Sequence, residues 1–147
     1  MGSVRTRLPV AAKIALQTAG AAAGNPGSPN PVGGAVHCSH GRGNGLLLPY
    51  VMRYNLPERT SAFAKIAALL GEDTSGVTEQ VAAERAVAVV ERMRVEINIP
   101  QRLRDLGVKR EQLPGFAEKA FAIKRLMIVN PRVPMQEELL AILEEAF

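Results

Sequence analysis

Apolar residues recur along most of this chain at spacings of three and four, the period of a helix that buries one face. In the stretch after Thr78, Ala82, Ala86, Val89, Met93 and Ile97 share one face, and Glu84, Arg85, Glu91 and Arg92 share the other. That pattern predicts a long helix over about 79–97, capped by Thr78 and held in the core by Ala86, Val89 and Met93. Thr60 or Ser61 is positioned to cap a helix over AFAKIAALL, with Gly71 as its stop. Residues 45–54 read as a buried helix that Pro49 would kink outside the first turn. Pro100 opens a short helix closed by Gly107. Phe116, Ala120, Ile123 and Met127 mark another helix, ended by Asn130-Pro131. Leu139, Leu140, Leu143 and Phe147 lie on a last helix over 135–146. Residues 9–23 suit an Ala-rich helix, and GNPGSPNPVGG (24–34) suits only a loop. No segment alternates as a strand does. The pattern predicts an all-α multi-helix bundle of six to seven helices.

The 147 residues suffice for one cored domain, and 47% hydrophobic with 22% charged residues fits a soluble protein. Charge is uneven. Residues 1–57 hold Arg5, Arg7, Lys13, Arg42 and Arg53 and no acid, so the net +4 belongs to the front of the chain. Five dispersed cations with two aromatics among them do not make a nucleic-acid surface, and no nucleic-acid partner is expected. Lys13 and Gln17 interrupt the Ala-rich stretch after Arg5 and Arg7, which argues against an export signal. No run approaches the roughly 20 apolar residues of a membrane span. A single cysteine, Cys38, rules out an intrachain disulfide and suits a reducing compartment. A cytoplasmic protein away from the membrane is expected.

Candidate chemistry concentrates in HCSHGRGNGLLLPYVMRYN (37–55), which holds both histidines and the cysteine. Gly41, Gly43 and Gly45 suggest a phosphate loop, but no Lys-Ser or Lys-Thr follows and no strand precedes. His37 and His40 are three apart, so one helical turn can present both to a divalent metal, with Cys38 between them. A helix-start histidine bonded to a backbone group accounts for the same residues, and residue types alone favour it.

The segment PVGGAVHCSHGRGNGLLLPYVMRYN (31–55) resembles the signature of the iron-containing alcohol dehydrogenases, HG-x-x-N-x-x-L-L-P-x-V-M-x-x-N. IPQRLRDLGV (99–108) is similar to that family's proline-led short helix and LGV turn, and VNPRVPMQEELLAILEEAF (129–147) to its asparagine-proline-arginine turn and last helix. The resemblance implies a dehydroquinate synthase-like helical domain over 31–147, preceded by a divergent Ala/Gly/Pro-rich segment over 1–30. It implies an NAD(P)-dependent alcohol or aldehyde oxidoreductase acting on small alcohols, diols or aldehydes. Its divalent metal, Fe or Zn, is held by one Asp and three His. His40 corresponds to the last of those histidines, and His37 lies where members carry a polar residue near the cleft.

The chain departs from that pattern at Pro26 and Asn30, where further histidines are expected. The Asp and His that supply the remaining two ligands are expected upstream of these residues, as is the glycine-rich nucleotide segment. The expectation is a truncated metal-binding domain, inactive alone, that pairs with a separate nucleotide-binding domain. The alternative is a non-enzymatic helical module. Either is expected to self-associate as a homo-oligomer, because Leu46, Leu47, Leu48 and Val51 fan round a helix and cannot all face one core.

Overall fold

The computed structural model describes residues 40–128 and 130–147. Helix α1 spans His40–Asn55 and runs into a 3₁₀ turn, Leu56–Glu58. Helices α2 (Thr60–Leu69) and α3 (Glu79–Glu96) follow. Two 3₁₀ turns, Leu103–Leu106 and Arg110–Gln112, lead into α4, Leu113–Ala122. A single turn α5, Lys124–Met127, and α6, Gln136–Glu145, complete the order. The described residues contain no strand, so the all-α expectation holds. Against the expected six to seven helices, the described residues hold five of ten residues or more. The helix expected over 9–23, the loop over 24–34 and the divergent segment 1–30 lie outside the described residues. The short helix expected over PQRLRDL is confined to a 3₁₀ helix at Leu103–Leu106.

Local signals set most boundaries. The Thr78 side chain accepts a hydrogen bond from the Val81 N–H at 3.3 Å and so caps α3. Gly107 ends its turn at φ +80, a left-handed conformation that a side chain would resist. Neither Thr60 nor Ser61 caps α2. Arg59 is the N-cap and Thr60 lies inside the helix, its hydroxyl donating back to the Leu56 carbonyl at 3.0 Å. The helix expected through Phe116–Met127 breaks at Ile123, whose ψ of 66 is not helical. Helix α1 starts five residues earlier than its apolar run suggests.

Two apolar cores flank α1. The first joins Leu46, Leu47, Tyr50 and Val51 to Leu113, Phe116 and Ala120 of α4 and to Leu139 and Leu143 of α6. The second joins Met52 to Phe63 and Ile66 of α2 and to Ala83, Ala86 and Val87 of α3. This overturns the expected exposed leucine patch. Leu46, Leu47 and Val51 are buried, and the half-buried Leu48 packs against both cores. A helix with neighbours on two sides can bury residues that fan round its axis.

Helix α3 departs from its predicted face. Ala82, Ala86 and Val89 are buried, but Met93 is 43% exposed and Ile97 69%. The inward stripe of the last turns is displaced by one residue. It runs Ala83, Val87, Val90, Arg94, again at helical spacing. A polar residue at 94 conceals that stripe from a hydrophobicity count.

The far end of α1 is clamped to the chain before α6. Asn55 Nδ2 donates to Asn130 Oδ1 at 3.0 Å, and Asn130 Nδ2 donates to Asn55 Oδ1 at 2.8 Å, both groups buried. Beside them the Tyr54 hydroxyl donates to Glu138 at 2.8 Å, and Glu138 also accepts from the Met135 N–H and from Arg132. Burial, then the bond to Glu138, pushes the Tyr54 hydroxyl well above its ordinary range. The Met135 N–H, then the Tyr54 hydroxyl, holds the Glu138 carboxyl below its ordinary value of 4.5.

Met93→Asp is expected to shift stability by no more than about 0.5–1 kcal/mol, as for a surface change. Leu113→Ala, at a fully buried site, is expected to cost about 2–5 kcal/mol. Urea unfolding of both variants checks this, and equal losses would contradict the displaced stripe. Because Glu138 is depressed in the folded chain, its contribution is present above its ordinary value and lost as pH falls through the folded one. Tyr54 is raised, so its contribution holds below 10.0 and fades as pH rises beyond it. Glu138→Gln is expected to flatten the acid side of the stability profile. Melts from about pH 6 down to about pH 3 test this, and an unchanged slope would contradict the clamp.

Candidate functional site

The first turns of α1 read HGRGNG, a poor helical sequence, since each glycine costs about 1 kcal/mol relative to alanine. Pro49, inside the helix, has no N–H to give the Gly45 carbonyl. Support comes from the end of α3. There Asn98 adopts a left-handed φ of 57 and turns the chain so that Ile99 meets α1. A Cβ on Gly45 would lie 3.4 Å from the Ile99 side chain, an ordinary contact distance, so the two segments pack directly against each other. Arg94, only 7% exposed, donates to the Leu46 carbonyl at 2.7 Å and lies 5.3 Å from the centre of the Tyr50 ring. The Tyr50 hydroxyl in turn donates to the Gln101 carbonyl at 3.2 Å. Residues 94–101 thus hold the middle of α1, and through it the turn that begins with His40.

His40 is the first residue of α1, and only its backbone is described. His37 and Cys38 lie outside the described residues, so the structure does not bring the two histidines together or separate them. Among the described residues, no three His, Cys, Asp or Glu gather where they could hold a metal. The glycines at 41, 43 and 45 belong to a helix and not to a loop between a strand and a helix.

Sequence reasoning missed two residues here. Asn44 is 3% exposed and neither atom of its carboxamide has a hydrogen-bond partner. Arg94 is buried, and its Nε is likewise unpartnered. The signal for Asn44 was present, since it lies four residues after His40 and so on the same helical face. Arg94 had only its place in the stripe after Ala83, Val87 and Val90.

Comparison with known proteins defines the class. The model of the C-terminal part of the Fe-containing alcohol dehydrogenase family matches residues 8–147. The chain belongs to this family, as the resemblance of its three motifs implied. A 1,3-propanediol dehydrogenase from Klebsiella pneumoniae is 43% identical over 116 residues, covering 79% of this chain and 30% of that protein. An NAD-dependent methanol dehydrogenase from Bacillus methanolicus is 37% identical over 115 residues, covering 78% of this chain and 30% of that protein. The crystal structure of a 1,3-propanediol oxidoreductase superposes with a TM-score of 0.79 at 38% identity, covering 91% of this chain and 32% of that one. The chain thus spans under a third of the length of these relatives. No helix among the described residues is long and apolar enough to cross a membrane.

Proposed function

We propose that this chain is the helical, metal-side domain of an NAD(P)-dependent alcohol or aldehyde oxidoreductase acting on small alcohols, diols or aldehydes. The observation that carries the reading is the family match over residues 8–147. The names of the relatives, a propanediol and a methanol dehydrogenase among them, support the substrate class. A divalent ion, Fe or Zn, supplies Lewis-acid chemistry at a substrate oxygen in such an enzyme, and a nicotinamide accepts the hydride. This chain contributes His40, with His37 as a second candidate, and an Asp and a further His from upstream of these residues complete the set as far as the resemblance implies it. Helix α1 positions His40, and α3 positions α1. The enzyme is read as cytoplasmic, in keeping with the lone cysteine.

A second reading, a non-enzymatic helical module that self-associates, draws on apolar side chains that face water. Leu69, Ile97, Ile128 and Met135 are each more than half exposed. Light scattering and activity separate the two readings.

Residues 1–147 alone are expected to form no NADH from small alcohols above a blank. Joined to the whole upstream part of a 1,3-propanediol dehydrogenase, they are expected to form NADH, and His40→Ala is expected to abolish that turnover. Absorbance at the NADH band measures both, and an inactive chimaera that folds would contradict the enzymatic reading. Zn²⁺ binding to residues 1–147 alone is expected to be weak and to vanish in His40→Ala. Calorimetry checks it, and tight one-to-one binding that survives the substitution would remove His40 from the ligand set.

A further inference from the structure

Three asparagines are buried among the described residues, and they differ in one respect. Asn55 and Asn130 satisfy each other with two reciprocal hydrogen bonds. Asn44 is as deeply buried, yet both of its polar atoms are without a partner. Leaving a buried amide unpaired costs stability. An apolar residue of the same size would avoid that cost, and the leucines two and three positions on show that α1 takes apolar residues here. Such a group in a native protein calls for a partner, an ordered water or a ligand.

Its position says where. Asn44 lies one turn after His40, at the positive end of a sixteen-residue helix. The Cα–Cβ bonds of a helix tilt toward its N-terminus, so the carboxamide leans toward the His40 turn. Glycines at 41 and 43 place no side chain between the two. A carboxamide donates through Nδ2 and accepts through Oδ1. Its complement is a group that also does both, which a hydroxyl is and an aldehyde carbonyl or a bare anion is not. Shielded from water, such a bond is stronger than it would be at the surface.

We propose that Asn44 is a binding residue for a substrate hydroxyl at the start of α1, favouring the alcohol over the aldehyde. This rests on the alcohol–aldehyde reading above. Both Asn44→Leu and Asn44→Ala remove the carboxamide, and the first keeps the volume. The test is an amide NMR titration of residues 1–147 with 1,3-propanediol, beside thermal melts of the same proteins. The parent is expected to show saturable shifts in Gly41–Leu46, weakened about fivefold to tenfold in both variants, the worth of one hydrogen bond. Asn44→Leu is expected to melt no lower than the parent. Shifts of equal affinity in parent and variants would overturn the role of Asn44 while leaving the alcohol reading intact. Absence of saturable shifts in the parent overturns it too, and the chimaera's turnover judges the reading independently. A lower melt for both variants with unchanged diol binding would show a structural bond and overturn it as well.

Discussion

Everything in this fold depends on α1 being enclosed from two sides. Its sequence is ill suited to a free helix, with three glycines in the first six residues and a proline in the tenth position. Helical stability here comes from packing rather than from propensity. One core, built with α4 and α6, takes Leu46, Leu47, Tyr50 and Val51. The other, built with α2 and α3, takes Met52 and Leu56. The helix that carries the family's histidine turn is therefore a spine, and the other helices form its walls.

The end of α3 is where the two halves meet. Arg94 leaves the stripe that packs on α2 and reaches a carbonyl of α1, while its guanidinium rests near Tyr50. Asn98 reverses the chain and Ile99 settles on Gly45. These contacts are short in sequence on the α3 side and fix the inclination of α1's first turns. A family with one helical domain and many substrates needs such a rigid mount, since function lives in sites placed on a scaffold.

Elements with a local chemical cause were legible. Thr78 caps a helix wherever that helix packs, and Gly71 and Gly107 end their elements by taking left-handed backbone. What depends on a neighbour was not legible. Met93 and Ile97 continue an apolar period, but the packing partner turns away and Arg94 takes the buried place. The start of α1 was hidden because glycines carry no periodicity. The early break at Ile123 has no sequence signal we can name. Of the candidate site, His40 was legible through its motif. Asn44 was legible only in its place four residues after His40, because the sequence shows an asparagine there but not that it is buried and unpaired.

The asparagine pair at the far end of α1 bears on the order of folding. Its partners are 75 residues apart, whereas α2 and α3 adjoin along the chain and pack extensively. Closing a long loop carries an entropy cost before any contact offsets it, so local pairs form first. The α2–α3 hairpin can collapse onto the end of α1 while α4 to α6 are still unformed. The core that α1 shares with α4 and α6, and with it the asparagine lock, closes afterwards. A growing chain that emerges in order from its N-terminus would thus present α1 with one wall in place and its other side open until the last helix arrives.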